Sequence, residues 1–362
     1  MHIAVLGTGG MGRGEISNLL KCAEVDAVTG YDINPAQLAL VTKNKQVNTT
    51  TNLKDILSNP NIPLVFITAS NDAHASLALQ AMEAGKAVMC EKPMATTLKD
   101  AKAMVDAAEK NNVYLQIGFE LRYSRLYSMV KQWTDEGLLG DIMNTHCYYI
   151  CSEFHGKGSW RNKTATGGSM FGEKLSHYVD LPRWWINAPV RDVNTVCAPN
   201  VIPYYEVRDN YHTTYRFTNG AVSHLTFMMA VGETFDGDPL QDILEQQVDD
   251  GHALRYMIVG TKGAAELDVF RRSIKRWEFG DSPKCFTSKW VENLTWDKSE
   301  DQIYYHNTRD QNIDIVYRVA NNLPPKTAPR DSFETMALCA AVEQSADDGC
   351  PIDMADFIAG IL

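Results

Sequence analysis

The tightest constraint on this chain lies at its start, where His2-Ile3-Ala4-Val5-Leu6 runs directly into Gly7-Thr8-Gly9-Gly10-Met11-Gly12. An apolar, partly β-branched run of this length reads as a buried parallel strand. The glycines that follow fit G-x-G-x-x-G, and helix-compatible residues continue from Arg13 to Lys21. Gly7 permits a tight turn, Gly9 lets a pyrophosphate approach the backbone, and Gly12 lets helix and strand pack closely. The helix N-terminus adds unpaired N–H groups and the positive end of its dipole. Gly7, Gly9, Gly10, Met11 and Gly12 are therefore the candidate phosphate cradle. A second strand, Val25 to Tyr31, ends at Asp32, 20 residues after Gly12. A carboxylate there accepts hydrogen bonds from an adenosine ribose; the blander alternative is that Asp32 merely caps a helix starting near Pro35. Ile33 and Asn34 follow it without an Arg for a 2′-phosphate. NAD is thus expected in preference to NADP.

The chain's 362 residues suffice for two domains with separate cores. A formal net charge of −11 without a dense Lys/Arg run argues against nucleic acid and anionic membrane as partners. No apolar run reaches the roughly 20 residues that span a bilayer, and no secretory signal is recognisable. Eight scattered cysteines with no C-x-x-C suit free thiols in a reducing cytoplasm.

Strand-like and helix-like segments alternate as far as residue 120. Leu64 to Thr68, Ala87 to Cys90 and Val113 to Gly118 read as strands; Ala36 to Lys43, His74 to Ala84 and Leu98 to Lys110 read as helices. Asn71 or Asp72 is expected to cap the helix at His74. The pattern defines an α/β fold with a doubly wound parallel sheet, whose ligands sit beyond the carboxyl ends of the strands. Past residue 120, a helix from Arg122 to Trp133 precedes strand-like runs between Asn144 and Glu278, which predict a large open, mostly antiparallel sheet. Residues 1–120 and 121–362 are the expected domains, with the C-terminal helices able to pack back on the first. Ala230 to Gly251 reads as an acidic loop, and helices are expected at 313–321 and 333–346.

Two stretches carry chemistry. Glu91-Lys92-Pro93 follows the fourth strand, where a lysine can direct its ammonium at a substrate hydroxyl; a solvated surface charge is the plainer reading. Pro93 is expected to stiffen the turn, with a cis bond. Farther on, Glu173 and His177 stand four apart, and Lys174 and His177 three apart, which puts them on one helix face. Asp180 can reach back to His177. A histidine beside carboxylates can accept a proton near neutral pH. Between them, residues 147–161 interleave Tyr148, Tyr149 and Trp160 with Glu153, His155 and Arg161, a mixture suited to a sugar ring.

Taken together, the glycine turn, A-S-N-D-A-H, E-A-G-K-A-V-M-C-E-K-P, Gly118-Phe119, Trp160-Arg161 and G-G-S-…-H-Y-V-D resemble the Gfo/Idh/MocA oxidoreductases (glucose–fructose oxidoreductase and inositol dehydrogenase-like) over most of the chain. The resemblance implies a Rossmann domain followed by an α/β domain that often mediates dimers or tetramers. It implies that Lys92 and His177 are catalytic. It also places Asn71, His74 and Arg161 at the nicotinamide end and Glu91 by its ribose; Ser70, at a strand tip facing the same crevice, and Lys92 join the cofactor set, and Glu153, His155, Trp160 and Lys174 join Lys92 and His177 in the substrate set. Many members have Asp where this chain has Glu173, so that residue either joins the catalytic pair or contacts substrate or Lys174. The expected reaction is NAD-dependent oxidation of a secondary hydroxyl on a sugar, polyol or glycoside, the last at glucosyl C3. Alternatives are inositol or hexose dehydrogenation, an NAD-retaining glycoside hydrolase or lyase working by transient oxidation and elimination, and a non-catalytic NAD sensor. A metal site from His146, Cys147, Cys151 and His155 is disfavoured because strand alternation splits them between faces.

Overall fold

A computed structural model describes residues 1–42, 46–153, 155–231 and 251–361. Most of the acidic loop expected at 230–251 lies outside the described residues, as does Lys43. The chain divides into two compact units, Met1–Glu120 with Asn307–Met336, and Leu121–His306 with Ala337–Leu362.

The first unit is built on β1 (His2–Leu6), α1 (Gly10–Leu19), β2 (Ala27–Tyr31), α2 (Pro35–Val41), β3 (Val47–Thr50), α3 (Leu53–Leu57), β4 (Leu64–Ile67), α4 (His74–Glu83), β5 (Ala87–Cys90), α5 (Leu98–Asn111) and β6 (Leu115–Ile117). Its six strands are parallel in the order β3-β2-β1-β4-β5-β6. The order reverses at β1, between β2 and β4, which is where such sheets open a crevice for a ligand. Strands β1 and β4 are almost wholly buried, as continuous apolar runs in a two-sided sheet must be. β3 was not expected: Val-Asn-Thr-Thr is short and polar and pairs only at the sheet edge.

In the second unit come α6 (Arg125–Asp135), β7 (Ile142–Ile150), α7 (Thr164–Gly167), α8 (Ser176–Ile186), β8 (Val190–Val196), β9 (Asn210–Phe217), β10 (Val222–Met228), β11 (Ala253–Gly260), β12 (Gly263–Asp268), β13 (Ser273–Asp281), β14 (Phe286–Thr295) and α9 (Asp301–Tyr304). The helices α10 (Thr308–Ala320) and α11 (Pro329–Asp348) follow, then β15 (Ile352–Asp353) and α12 (Met354–Ile361). Nine strands run in the order β14-β13-β12-β11-β7-β10-β9-β8-β15, antiparallel throughout except for the parallel pair β7–β10. Strands β7, β9 and β10 alternate buried with exposed positions, and α8 packs on β7 and β10. Tyr149 on β7 meets Tyr178 on α8 edge-on, with ring centroids 5.0 Å apart.

α10 packs in the first unit against α1, where Ile315 and Val316 join the core containing Ile16 and Leu19. Beside these apolar contacts the Glu15 carboxylate accepts from the Asn312 side-chain amide, and both residues are buried.

Candidate active site

Local chemistry explains the dinucleotide cradle. Gly7 has φ +100°, a left-handed conformation that a side chain disfavours, and a Cβ there would lie 2.6 Å from the Ala69 nitrogen. At Gly12 a Cβ would come within 1.9 Å of the Gly7 carbonyl oxygen, so α1 could not approach the turn. Gly9 and Gly10 face open space, with nothing within 4 Å of an added Cβ, and Met11 is exposed beside them.

Asp32 holds this turn. Its Oδ2 accepts from the Thr8 backbone N–H at 2.9 Å and the Thr8 hydroxyl at 3.2 Å, and its Oδ1 accepts from Asn34 N–H at 2.9 Å. The capping role left open for Asp32 falls to Asn34, whose side-chain oxygen accepts from Ala36 N–H at 3.0 Å. Arg13, which the local sequence around Asp32 could not reveal, donates through Nη1 to the Thr8 carbonyl at 3.2 Å and to Gln37 at 3.0 Å. These residues fit a dinucleotide: open glycine positions for the phosphates and an anchored carboxylate for the ribose.

The strand tips after β4 and β5 are joined by a histidine. Ser70 precedes a single 3-10 turn, Asn71–Ala73, and α4 begins at His74 with no side-chain cap. The cap position thus falls on Ala73, not on the expected Asn71 or Asp72. His74 is buried; its Nδ1 lies 2.8 Å from the Pro93 carbonyl oxygen and its Nε2 3.2 Å from that of Ala69. Burial lowers its pKa most, against the pull of the two carbonyls. The ring thus ties the end of β4 to the turn carrying Lys92, whose bond to Pro93 is cis.

Glu91 is buried with its Oε2 accepting from Lys92 N–H at 3.2 Å. Its Oε1 has no hydrogen-bond partner among the described residues and lies only 2.8 Å from where a Cβ at Gly118 would stand. Burial, reinforced by the charges of Glu120 and Glu15, holds this carboxyl well above the usual carboxylate range. A buried carboxyl oxygen of this kind, left without a partner among the described residues, suits a hydroxyl-bearing ligand.

In the second unit Arg161 and His155 gather at Glu173. Its Oε1 accepts from Arg161 Nε at 3.0 Å, and His155 Nε2 stands 3.7 Å from its Oε2. The Arg161 guanidinium lies over the Trp160 ring at 4.5 Å. Tyr204 and Tyr205, not singled out from sequence, complete the cluster. The Tyr204 hydroxyl donates to Glu153, and the Tyr205 ring stacks on His155 with centroids 6.4 Å apart. Lys157 sits over Tyr204 at 5.5 Å.

A single π-turn, Phe171–Leu175, carries Glu173 and Lys174 into α8, so the plain helical spacing read from sequence is interrupted just before His177. His177 is 2% exposed. Its ring meets His306, which the sequence reading missed, at 6.3 Å between centroids and 82° between planes. Asp180, read as a neighbour for His177, forms a bidentate pair with Arg122, Nε and Nη2 each 2.7 Å from a carboxylate oxygen. Arg122 had no local signal because the pair spans 58 residues.

A switch-point parallel sheet with a glycine cradle, followed by a second unit with a large mixed sheet, defines the class of two-unit dinucleotide-dependent oxidoreductases. Residues 1–119 match the model of the oxidoreductase family with NAD-binding Rossmann fold, and residues 127–266 match the GFO/IDH/MocA C-terminal domain. The chain belongs to the Gfo/Idh/MocA family, and NAD is its cofactor.

Among curated relatives, the inositol 2-dehydrogenase/D-chiro-inositol 3-dehydrogenase of Lactiplantibacillus plantarum is 30% identical over 359 residues, covering 97% of this chain and 93% of its own. The inositol 2-dehydrogenase of Salmonella paratyphi B is 28% identical over 271 residues, 74% of each chain. Levoglucosan dehydrogenase of Pseudarthrobacter phenanthrenivorans is 32% identical over 143 residues, but that match spans 38% of this chain and 37% of the relative. A solved levoglucosan dehydrogenase in complex with NADH superposes with a TM-score of 0.81 at 22% identity, covering 98% and 99% of the two chains. At that identity the likeness concerns the fold.

Proposed function

We propose that this chain oxidises a secondary hydroxyl of a sugar, polyol or glycoside, with Lys92 and His177 acting on that hydroxyl. The observation that carries the reading is the turn at Glu91-Lys92-Pro93, held to the end of β4 by the buried His74. The dehydrogenases of inositol and levoglucosan among its relatives support the substrate class. When bound, NAD supplies the acceptor for the hydride that leaves the substrate carbon.

His177 takes the hydroxyl proton, and the Lys92 ammonium stabilises the charge developing on oxygen, an effect strongest where water is excluded. Glu91 presents its Oε1 to a cofactor ribose hydroxyl, with Asn71 beside it at the neighbouring strand tip. His74 positions the turn. Glu173 holds Arg161, while Trp160, His155, Glu153 and Lys174 bind the substrate. Tyr204 and Tyr205 add aromatic surface, which favours a glycoside with a ring beyond the one oxidised. Exposed Phe286 and Trp290 on β14 favour burial against a second copy in a homo-oligomer.

Lys92→Met and His177→Ala are the test, each assayed for turnover on inositols, hexoses and glycosides and for NAD binding. Losses of about 10²–10⁴-fold in kcat with NAD affinity retained support the assignment. Turnover like that of the unsubstituted chain in Lys92→Met would refute it.

A further inference from the structure

His177 is sealed from water, yet a base that accepts a proton in every cycle must release it. Its neighbour His306 is partly exposed. The placement of these two rings is built rather than incidental, because the residues flanking them are clamped together. Tyr178, next to His177, and Tyr305, next to His306, share a hydrogen bond of 2.8 Å between their hydroxyls, across 127 residues of sequence. Tyr256 donates to the Tyr178 carbonyl at 2.6 Å, and the Ser124 hydroxyl donates to the Tyr305 carbonyl. Ahead of His306, α9 is fixed by Arg272, whose Nε and Nη2 lie 2.9 and 2.7 Å from the Asp301 carboxylate, and by Trp296 stacked on Tyr304 at 4.5 Å.

We propose that His306 carries the proton between His177 and solvent. The proposal rests on the reading of His177 as the group that takes the substrate proton. In the oxidative direction the proton leaves the substrate oxygen for a nitrogen of His177. The imidazolium then gives up one proton to His306, directly or through a single bridging water, and His306 releases one to bulk water. No electrons move in this relay, and both rings return to the neutral state. The phenols around them cannot substitute. Burial holds Tyr149 and Tyr178 well above the usual phenol range, so they remain neutral hydrogen-bond partners. An imidazole is the side chain that exchanges protons readily near neutrality.

Two variants test this, His306→Ala and the closer isostere His306→Asn, each checked for folding by urea denaturation. The relay requires kcat to fall about tenfold or more with KM unchanged, and to recover when free imidazole is added to the assay. A second readout needs no turnover. In cofactor-free protein with ¹⁵N-labelled histidine, either substitution must shift the titration midpoint of His177, because the two sites interact. Undiminished kcat in both folded variants would overturn the proposal. So would a loss that imidazole does not restore, with the His177 titration unmoved. Full turnover in His177→Ala would instead remove the reading beneath it, and that outcome is separately visible.

Discussion

Arg161 donates through Nε to Glu173 Oε1 at 3.0 Å, which gives the longer acid in this chain a partner twelve residues away. A shorter aspartate at this position would withdraw the carboxylate from Arg161 and from His155 on its other oxygen. Glu173→Asp is therefore expected to lower kcat/KM for substrate by about tenfold, chiefly through KM. Steady-state kinetics checks it; an unchanged KM would count against the role given to the pair.

The Arg122–Asp180 pair fastens α8, and with it His177, to the chain following β6. Both side chains are buried, so removing one partner strands the other charge. Arg122→Ala should cost about 3–5 kcal/mol in urea denaturation. Arg122→Met combined with Asp180→Leu should recover most of that loss. If the single substitution costs less than the double, the burial argument fails.

Glu15 gives the fold a pH dependence. Its carboxyl is raised to about 7, chiefly by burial, with the Asn312 amide opposing and Glu120 adding. Because the folded value lies above the unfolded one, the stabilisation is full below the unfolded value near 4.5 and is lost as pH rises through about 7. Glu91 acts in the same direction. The melting temperature of Glu15→Gln relative to the unsubstituted chain should therefore improve between pH 5 and pH 8. A difference that does not vary with pH would contradict the assignment.

Asp32 and Arg13 meet through Thr8, one bonded to its N–H and hydroxyl, the other to its carbonyl. Asp32→Ala should weaken NAD binding by removing the ribose acceptor. It should also raise kcat/KM for NADP, since the Arg13 guanidinium is then free of a competing carboxylate near the 2′ position. Adding Arg13→Ala should abolish that gain. Unaltered NAD affinity in Asp32→Ala would show that its carboxylate serves only to anchor Thr8.

What could be read from sequence was local. The β1–Gly7 turn, the spacing to Asp32 and the Glu91-Lys92-Pro93 turn each declare their chemistry within a dozen or two residues. β14 did not, because its ten residues are exposed on nearly every position and carry no alternation. β3 was lost for a similar reason, being short and polar at a sheet edge. The cap on α2 was not legible because Asp32 and Asn34 are both good capping residues two apart, and only the bonds that Asp32 makes to Thr8 leave the cap to Asn34. Arg122, Tyr204, Tyr205 and His306 are found by tertiary pairing over roughly 50 to 130 residues, and no periodicity encodes such partners.

On this account the chain takes a proton from a substrate hydroxyl and a hydride from the carbon that bears it, and passes the hydride to NAD. The most direct measurement incubates the purified protein with NAD and a panel of inositols, hexoses and glycosides, following NADH absorbance and product mass together. The account predicts NADH in equal molar amount to a product lighter by two hydrogens. Released sugar and aglycone with no net NADH would contradict it and mark a hydrolase or lyase that keeps its cofactor.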